Sequence, residues 1–424
     1  MSTPRILLID GAEREHWYAP LVRLLAARWF SGASPRLIAR ARTQIDLAVV
    51  NDQRALPYAV DAVGQLARQG IPTLHAPPDG ILEWRNTWEN PTLRLGREPA
   101  VPFLQPSLCH KIACTGRSQA RILESWGNLG RCEVVGLPRL DGFARAIGPR
   151  RADPREFRLL VMTARAAGFT PEQSAVVEQS LVDLKRWLQR HPSLAGRRVR
   201  TVWRLTGDLA RRIGVDNQLR DTFSDELAKL LGSVDAMVTT PSTSLLEGML
   251  AGVPVALLDY HNCPPYVPAA WSITAQAHLD QVAAELAEPP AAKMLYQDTL
   301  LHDALECRTP AGPRLVQLIE EMVHIGRACR ASGRPLELPR RILADPQDGH
   351  HLPEERFDYR TLYPDHPVFG QMDRAELQME IAHLRRAIAR QGVIETHPLW
   401  GPALRLRRRV KRLLGRIRPG RRAA

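Results

Sequence analysis

The chain lacks the long apolar run of a membrane span. None of its stretches approaches the ~18 consecutive apolar residues a spanning helix needs, although 44% of its 424 residues are hydrophobic. The opening MSTPRILLIDG carries an apolar run too short and too soon broken for a signal peptide. Cysteine is scarce: there are six, irregularly spaced, with no C-x-x-C pair, and Cys109 and Cys114 are five apart. Such spacing excludes a disulfide framework and predicts free thiols in a reducing cytoplasm. No Walker A sequence, H-E-x-x-H or G-x-S-x-G occurs. No G-x-G-x-x-G follows the first predicted strand, so an α/β pattern here does not mean NAD. His350 and His351 are adjacent and lack the i, i+4 spacing of helix-borne ligands, and no metal or other cofactor is expected.

Acidic residues are absent from one region. Residues 400–424 hold ten Arg or Lys and no Asp or Glu, leaving +3 of the formal +13 for residues 1–399. The body is nearly neutral and the basicity belongs to a tail. Leu406, Val410, Leu413 and Ile417 make one apolar stripe on it, at spacings 4, 3 and 4, with arginines over the rest. Such a helix suits an anionic membrane surface, each basic residue contributing on the order of 1 kcal/mol. A solvated tail is the plain alternative. No aromatic interleaves the arginines after Trp400, which ranks nucleic acid below the membrane as a partner.

What is present is alternation. Strand patterns at Arg5–Ile9, Ile45–Val50, Ile71–Leu74, Lys111–Cys114 and Glu133–Val135 alternate with helical periodicity at Tyr18–Phe30, Ala59–Gln69 and Ser118–Trp126. This predicts a doubly wound α/β domain over 1–143. Residues 144–156, rich in Arg, Pro and Asp, read as a linker. A second series over 157–330 has strands at Arg158–Met162 and Val199–Leu205 and helices at Pro171–Arg190 and His278–Leu286. A helix at Arg314–Cys329 either closes this domain or crosses back onto the first. Residues 331–372 carry no periodic signal. A helix over 373–392 follows, with Leu377, Ile381, Leu384 and Ile388 on one face. It packs on its own protein or forms a short homodimer seam.

The most informative stretch is VDAMVTTPSTSLLEGMLAGVPVALLDYHN, Val234–Asn262. It reads as a buried strand, a hydroxyl-rich turn at Thr240, Pro241, Ser242, Thr243 and Ser244, a short helix ending at Gly252, and a second strand. A turn between a strand's C-terminal end and a helix N-terminus suits an anion. Ser244 and Glu247 also have capping-box spacing, which any helix can use. Asp235, Thr239, Ser242, Thr243, Glu247, Gly252 and Pro254 resemble the diphosphate-binding pattern of GT-B glycosyltransferases. The resemblance implies an α/β fold of two Rossmann-like doubly wound domains with a helical, basic C-terminal extension. It implies Thr240, Ser242, Thr243 and Ser244 at the donor diphosphate and Glu247 on the ribose hydroxyls. Nucleotide-sugar 2-epimerases share the fold and much of the motif.

In the first domain Asp79, Glu83, Trp84, Arg85, Asn86 and Trp88 fall within ten residues. Carboxylates bond sugar hydroxyls and an indole packs on a pyranose ring, so Trp84, Arg85 and Asn86 are candidate acceptor contacts. This loop, with GRSQARILESWG (116–127) and VVGLPRLD (134–141), resembles bacterial surface-polysaccharide transferases, capsule-forming ones included. An inverting transferase needs a general base, and Asp79 and Glu83 lead, with His16 next. Arg165 and Arg204, after the first two strands of the second domain, are candidate cations for the leaving diphosphate, with Arg139 and His261 weaker. Each is also readable as an ordinary surface or loop residue. No D-x-D occurs, against a metal-dependent GT-A enzyme. The expected protein is a bacterial GT-B glycosyltransferase, peripheral at the inner face of the cytoplasmic membrane. It would move a sugar from a nucleotide-diphosphate donor to a surface-glycan acceptor, lipid-linked acceptors included. A UDP-GlcNAc 2-epimerase-like enzyme, a CDP-glycerol-type polymer transferase and an inactive scaffold on the same fold are the alternatives.

Overall fold

The computed structural model describes residues 3–9, 21–32, 38–50, 57–76, 81–90, 107–147, 153–166, 168–219 and 226–344. His16, Asp79, the helix over 373–392 and the basic tail lie outside them.

Strands β1 (Arg5–Leu8), β2 (Arg28–Ser31), β3 (Leu47–Val50), β4 (Thr73–His75), β5 (Lys111–Cys114) and β6 (Cys132–Val134) form a first sheet in the order β2-β1-β3-β4-β5-β6, parallel throughout. Strands β7 (Glu156–Met162), β8 (Ser193–Leu194), β9 (Arg197–Arg204), β10 (Ala236–Thr239), β11 (Val255–Leu258) and β12 (Trp271–Ile273) form a second, β12-β11-β10-β7-β9-β8. Only β8 in it runs antiparallel. The expected pair of doubly wound α/β domains is what the chain forms.

Strands β3, β10 and β11 are buried at every residue, as parallel strands covered on both faces must be. Alternation along β7 sends Leu159 and Val161 into one core and Leu160 and Met162 into the other. Helices α1 (Pro57–Arg68), α2 (Arg117–Leu123), α3 (Pro171–Arg190), α4 (Ser244–Leu250), α5 (Leu279–Ala287), α6 (Ala291–Ala304) and α7 (Ala311–Ala331) supply much of this covering. The sequence of α3 specifies its own start. Thr170 accepts from the Gln173 N–H, Pro171 takes the first turn, and Glu172 faces the positive end of the dipole. Its Val177, Leu181, Leu184 and Leu188 then bury one stripe in the core that contains Phe157 and Trp203.

One sequence expectation changes, and one open alternative is decided. The helical reading of Tyr18–Phe30 fails at its C-terminal end: helix covers residues 21–24, and Arg28–Ser31 is the edge strand β2. That strand has no fully buried residue, so its pattern carries little signal, and pairing with β1 decides its state. The open alternative concerns α7, for which the sequence allowed either closing the second domain or crossing back onto the first. Its Leu315, Leu318, Ile319, Met322 and Val323 pack with Ile6, Leu8, Leu47, Val49 and Leu74 of the first sheet, so the chain crosses back. Asp141 accepts from the N–H groups of Ala311 and Gly312, both at 2.7 Å, and fixes the helix start. Beyond it Leu338, Ile342 and Leu343 join the same core. The buried Lys111 ammonium bonds Glu133 at 2.7 Å and the Arg340 carbonyl at 2.8 Å, while Glu133 accepts from the N–H groups of Ile342 and Leu343. Part of the segment read as irregular is thereby clamped to β5 and β6. Among the described residues, no helix is long and apolar enough to cross a membrane.

The returning helix also closes a charge cluster. Asp46, fully buried before β3, accepts from Arg5 at 3.0 and 3.1 Å, Arg327 at 2.7 Å and Arg330 at 3.0 Å. Burial opposes the Asp46 charge, but the hydrogen bonds from Arg5 and Arg327 outweigh it and hold the carboxyl far below the usual range. A depressed folded value means that the stabilisation is present above the unfolded carboxyl pKa, about 4, and is lost as pH falls toward the folded value. Asp46→Ala is expected to cost about 3 kcal/mol at neutral pH, the low end for a broken buried pair because Arg5 is partly exposed. In urea titrations the gap to the wild type should narrow below about pH 4.

Candidate functional site

In the second sheet β9 lies on one side of β7 and β10 on the other. The winding reverses between β7 and β10, and the crevice beyond the carboxyl ends of such a pair is where ligands bind in open α/β sheets. The loops that leave these strands are 163–166 and 240–243, so the hydroxyl-rich turn and Arg165 meet at the switch point.

These loops are tied together by their threonines. The Ala164 N–H donates to Thr240 Oγ1 at 2.7 Å. Thr206, after β9, donates its N–H to Thr163 Oγ1 at 2.9 Å and its hydroxyl to the Ala164 carbonyl at 2.6 Å. Thr240 and Ser244 are buried, and Ser242 and Thr243 are half-buried. Within the turn Ser242 Oγ accepts from the Ser244 N–H at 3.2 Å and the Ser244 hydroxyl at 3.0 Å. Arg165 is exposed at this rim. Arg204, at the end of β9, is only 5% exposed and is not presented to the cleft as a mobile cation would be.

Glu247 does not close a capping box with Ser244. The residue preceding α4 is Thr243, in helical conformation and without a side-chain cap. The Glu247 carboxylate instead pairs with the Arg139 guanidinium, from the end of the first domain. Asp235 of the same pattern sits at the opposite edge of the sheet. It accepts from the Arg158 N–H at 2.8 Å and pairs with Arg197 at 3.3 Å, which is a structural role.

The loop 81–90 of the first domain reaches this crevice, but its side chains do other work than expected. Glu83 holds Arg85 Nε at 2.8 Å with one oxygen and the Asn86 N–H at 2.6 Å with the other. It thereby starts the π-helical turn Arg85–Glu89. Asn86 in turn accepts from Asn90 at 2.8 Å. Trp84, 1% exposed, is no open platform for a pyranose ring. Its ring lies 5.8 Å from Tyr266 of the second domain and 6.0 Å from Trp88, and Trp126 completes the cluster. Trp88 Nε1 donates to Tyr266 Oη at 2.6 Å, and Gln173 donates to Glu89 at 2.8 Å. The buried Arg85 approaches Asp259, at the end of β11, to 4.0 Å. Burial works against the Arg85 charge, and Glu83 and Asp259 raise its pKa in spite of it. His261 lies on the Gln173 carbonyl at 3.2 Å rather than on the turn.

Sequence reasoning missed Asp259 and Tyr266. A carboxylate placed directly after four buried apolar strand residues was the available signal for Asp259. Nothing local marked Tyr266, whose partners Trp126, Trp88 and Trp84 all lie far away in the chain. Among the described residues no group of three or more His, Cys, Asp or Glu could hold a metal ion.

No protein-family model and no curated protein matches the sequence. Solved structures do. The S. aureus MnaA–UDP co-structure aligns at a TM-score of 0.52 and 13% identity, over 76% of this chain and 97% of that one. The UDP-GlcNAc 2-epimerase from Neisseria meningitidis bound to UDP-GlcNAc aligns at 0.50 and 12%, over 74% and 99%. The wall teichoic acid polymerase TagF aligns at 0.46 and 10%, over 78% and 90%. At these identities the first two likenesses are likenesses of fold: this chain has the two-domain GT-B fold.

Thr240 is the keystone of the turn. Thr240→Val keeps its shape and strands the Ala164 N–H without an acceptor, which should cost about 1–3 kcal/mol in denaturant unfolding. Thr243→Val, at a half-buried position, should cost clearly less.

Proposed function

We propose that the chain is a GT-B glycosyltransferase that binds a nucleotide-diphosphate sugar in the crevice between β7 and β10. It would pass the sugar to a surface-glycan acceptor, lipid-linked acceptors included. The observation that carries the reading is the meeting of the hydroxyl turn at 240–244 and the Arg165 loop at the topological switch point of the second sheet. The Ser242 hydroxyl and its neighbours would bond the diphosphate, and Arg165 would offset the charge that grows on it as the glycosyl bond breaks. The ribose hydroxyls would donate to Glu247 beside or in place of Arg139. Both oxygens of Glu83 are engaged within its own loop, so the general base is assigned to Asp79, with His16 next. The arginine-rich tail over 400–424 would hold the enzyme at the inner membrane face, and the helix over 373–392 would supply a homodimer seam. No nucleic-acid partner and no bound cofactor enter this reading.

A 2-epimerase would use the same crevice, since the fold is shared with such enzymes. Incubation with a panel of nucleotide sugars separates the two. Nucleotide released only when a glycan acceptor is added supports the transferase, whereas isomerised sugar without an acceptor supports the epimerase. Glu247→Ala should weaken nucleotide-diphosphate binding about tenfold, the loss of roughly 1.4 kcal/mol, with the circular dichroism spectrum unchanged. Unaltered affinity would remove Glu247 from the site. Deleting residues 400–424 should abolish binding to anionic liposomes and spare activity on a soluble acceptor. Unchanged liposome binding would remove the tail from the membrane.

A further inference from the structure

Helix α6 carries its polarity the wrong way round. At its middle the buried residue is polar: Gln297, 2% exposed, accepts the Val255 N–H at 2.8 Å and donates to the Val253 carbonyl at 2.9 Å. The solvent side is apolar. Leu295 is 69% exposed and Tyr296 52%. Ala292 and Thr299 are exposed as well, and at 3.6 residues per turn these four positions make one continuous face. The inner side of α6 is already packed on α4 and α2. Adjacent large apolar side chains left this open on the other side mark a contact surface.

Charge says what covers it. Helix α6 starts after Pro290 with no side-chain cap and no acidic residue in its first turn. Its N-terminal N–H groups and the positive end of its dipole lie there. Asp298, two turns further on, has a carboxylate 61% exposed. A twofold axis set across the helix between Leu295 and Tyr296 brings the two features together. Two copies of α6 then run antiparallel, with Leu295 meeting Leu295 and Tyr296 meeting Tyr296. Ala292 of each copy lies opposite Thr299 of the other, and such small side chains let the helix axes approach to about 8–10 Å. Asp298 of each copy falls beside the uncapped first turn of the other, where a negative charge is favoured. An anionic bilayer is the poorer match, because Glu288 and Asp298 stand exposed along this face.

We propose that this face of α6 docks a second copy of the chain, antiparallel and about a twofold axis. The assignment rests on the homodimer reading above. One helix pair buries less than the roughly 1,000 Å² that a lasting interface needs. The α6 face therefore works together with the seam assigned to residues 373–392.

The test is sedimentation velocity on the full chain over a range of concentrations. The wild type should dimerise. The double substitution Leu295→Asp, Tyr296→Asp should raise the dimer dissociation constant about tenfold or more, since it removes apolar contacts and sets like charges across the axis. Its circular dichroism spectrum should match the wild type, because both side chains face solvent. Asp298→Lys should weaken the dimer about tenfold as well, by placing a cation at the other copy's helix start. Leu295→Cys checks the register: mild oxidation should link it to its own counterpart, giving a covalent dimer on a non-reducing gel that the wild type does not give. A dimer that the two aspartates leave as tight as before would overturn the α6 seam and leave the one at 373–392 standing. A dimeric Leu295→Cys chain that fails to cross-link would overturn the twofold pairing. A wild type that stays monomeric at every concentration would remove the homodimer reading itself, and this seam with it.

Discussion

The candidate site exists because β10 pairs with β7 on the side away from β9. That reversal sends the chain over opposite faces of the sheet and leaves a crevice at the carboxyl ends of the two strands. The loops beside it are short and need rigid anchors. The threonines provide them: Thr240 holds the loop after β7, and Thr163 and Thr206 hold it to the loop after β9. Three strand ends are therefore tied together by side-chain hydroxyls. Ser242 sits on a turn that cannot shift without breaking these hydrogen bonds.

The seam between the domains is built differently. At its base, backbone approaches backbone: a Cβ on Gly116 would lie 2.3 Å from the Ala304 carbonyl carbon, and one on Gly136 2.6 Å from the Glu306 carbonyl oxygen. Gly136 also has φ +97°, which disfavours any side chain. The Thr115 carbonyl accepts from the Glu306 N–H at 2.8 Å, which makes this a fixed joint. Nearer the crevice the contacts are side-chain borne: Gln173 on Glu89, Trp88 on Tyr266 and Arg139 on Glu247, beside the aromatic cluster of Trp84, Trp88, Trp126 and Tyr266.

Much of this was legible in the sequence because parallel sheets write themselves as apolar runs. AMVT and VALL, with a hydroxyl turn and a short helix between, could hardly be other than β10, α4 and β11. The edge strand β2 was not legible, since a half-exposed four-residue strand has no period of its own. Nor was the destination of α7, whose amphipathic stripe shows that it packs but not on which sheet; Asp141, far away in the chain, fixes its start. The loop at 83–88 was legible only in part, for a related reason. Its carboxylate, guanidinium and indole suit a sugar, yet they suit one another equally well, and the structure uses Glu83, Arg85 and Trp84 to shape the loop and dock it.

The carboxylates of the crevice share one feature that bears on mechanism. Glu247 and Asp259 both belong to the second domain, and both face arginines that the first domain supplies, Arg139 and Arg85. With the domains together, the second domain's negative groups are compensated by the first. A nucleotide sugar whose hydroxyls engaged these carboxylates would meet guanidinium groups already in place. On the donor reading, substrate and interdomain pairing therefore act on the same atoms. Ligand recognition and domain closure are then one electrostatic event, and residues at the seam, not only those of the turn, belong to the chemistry of the site.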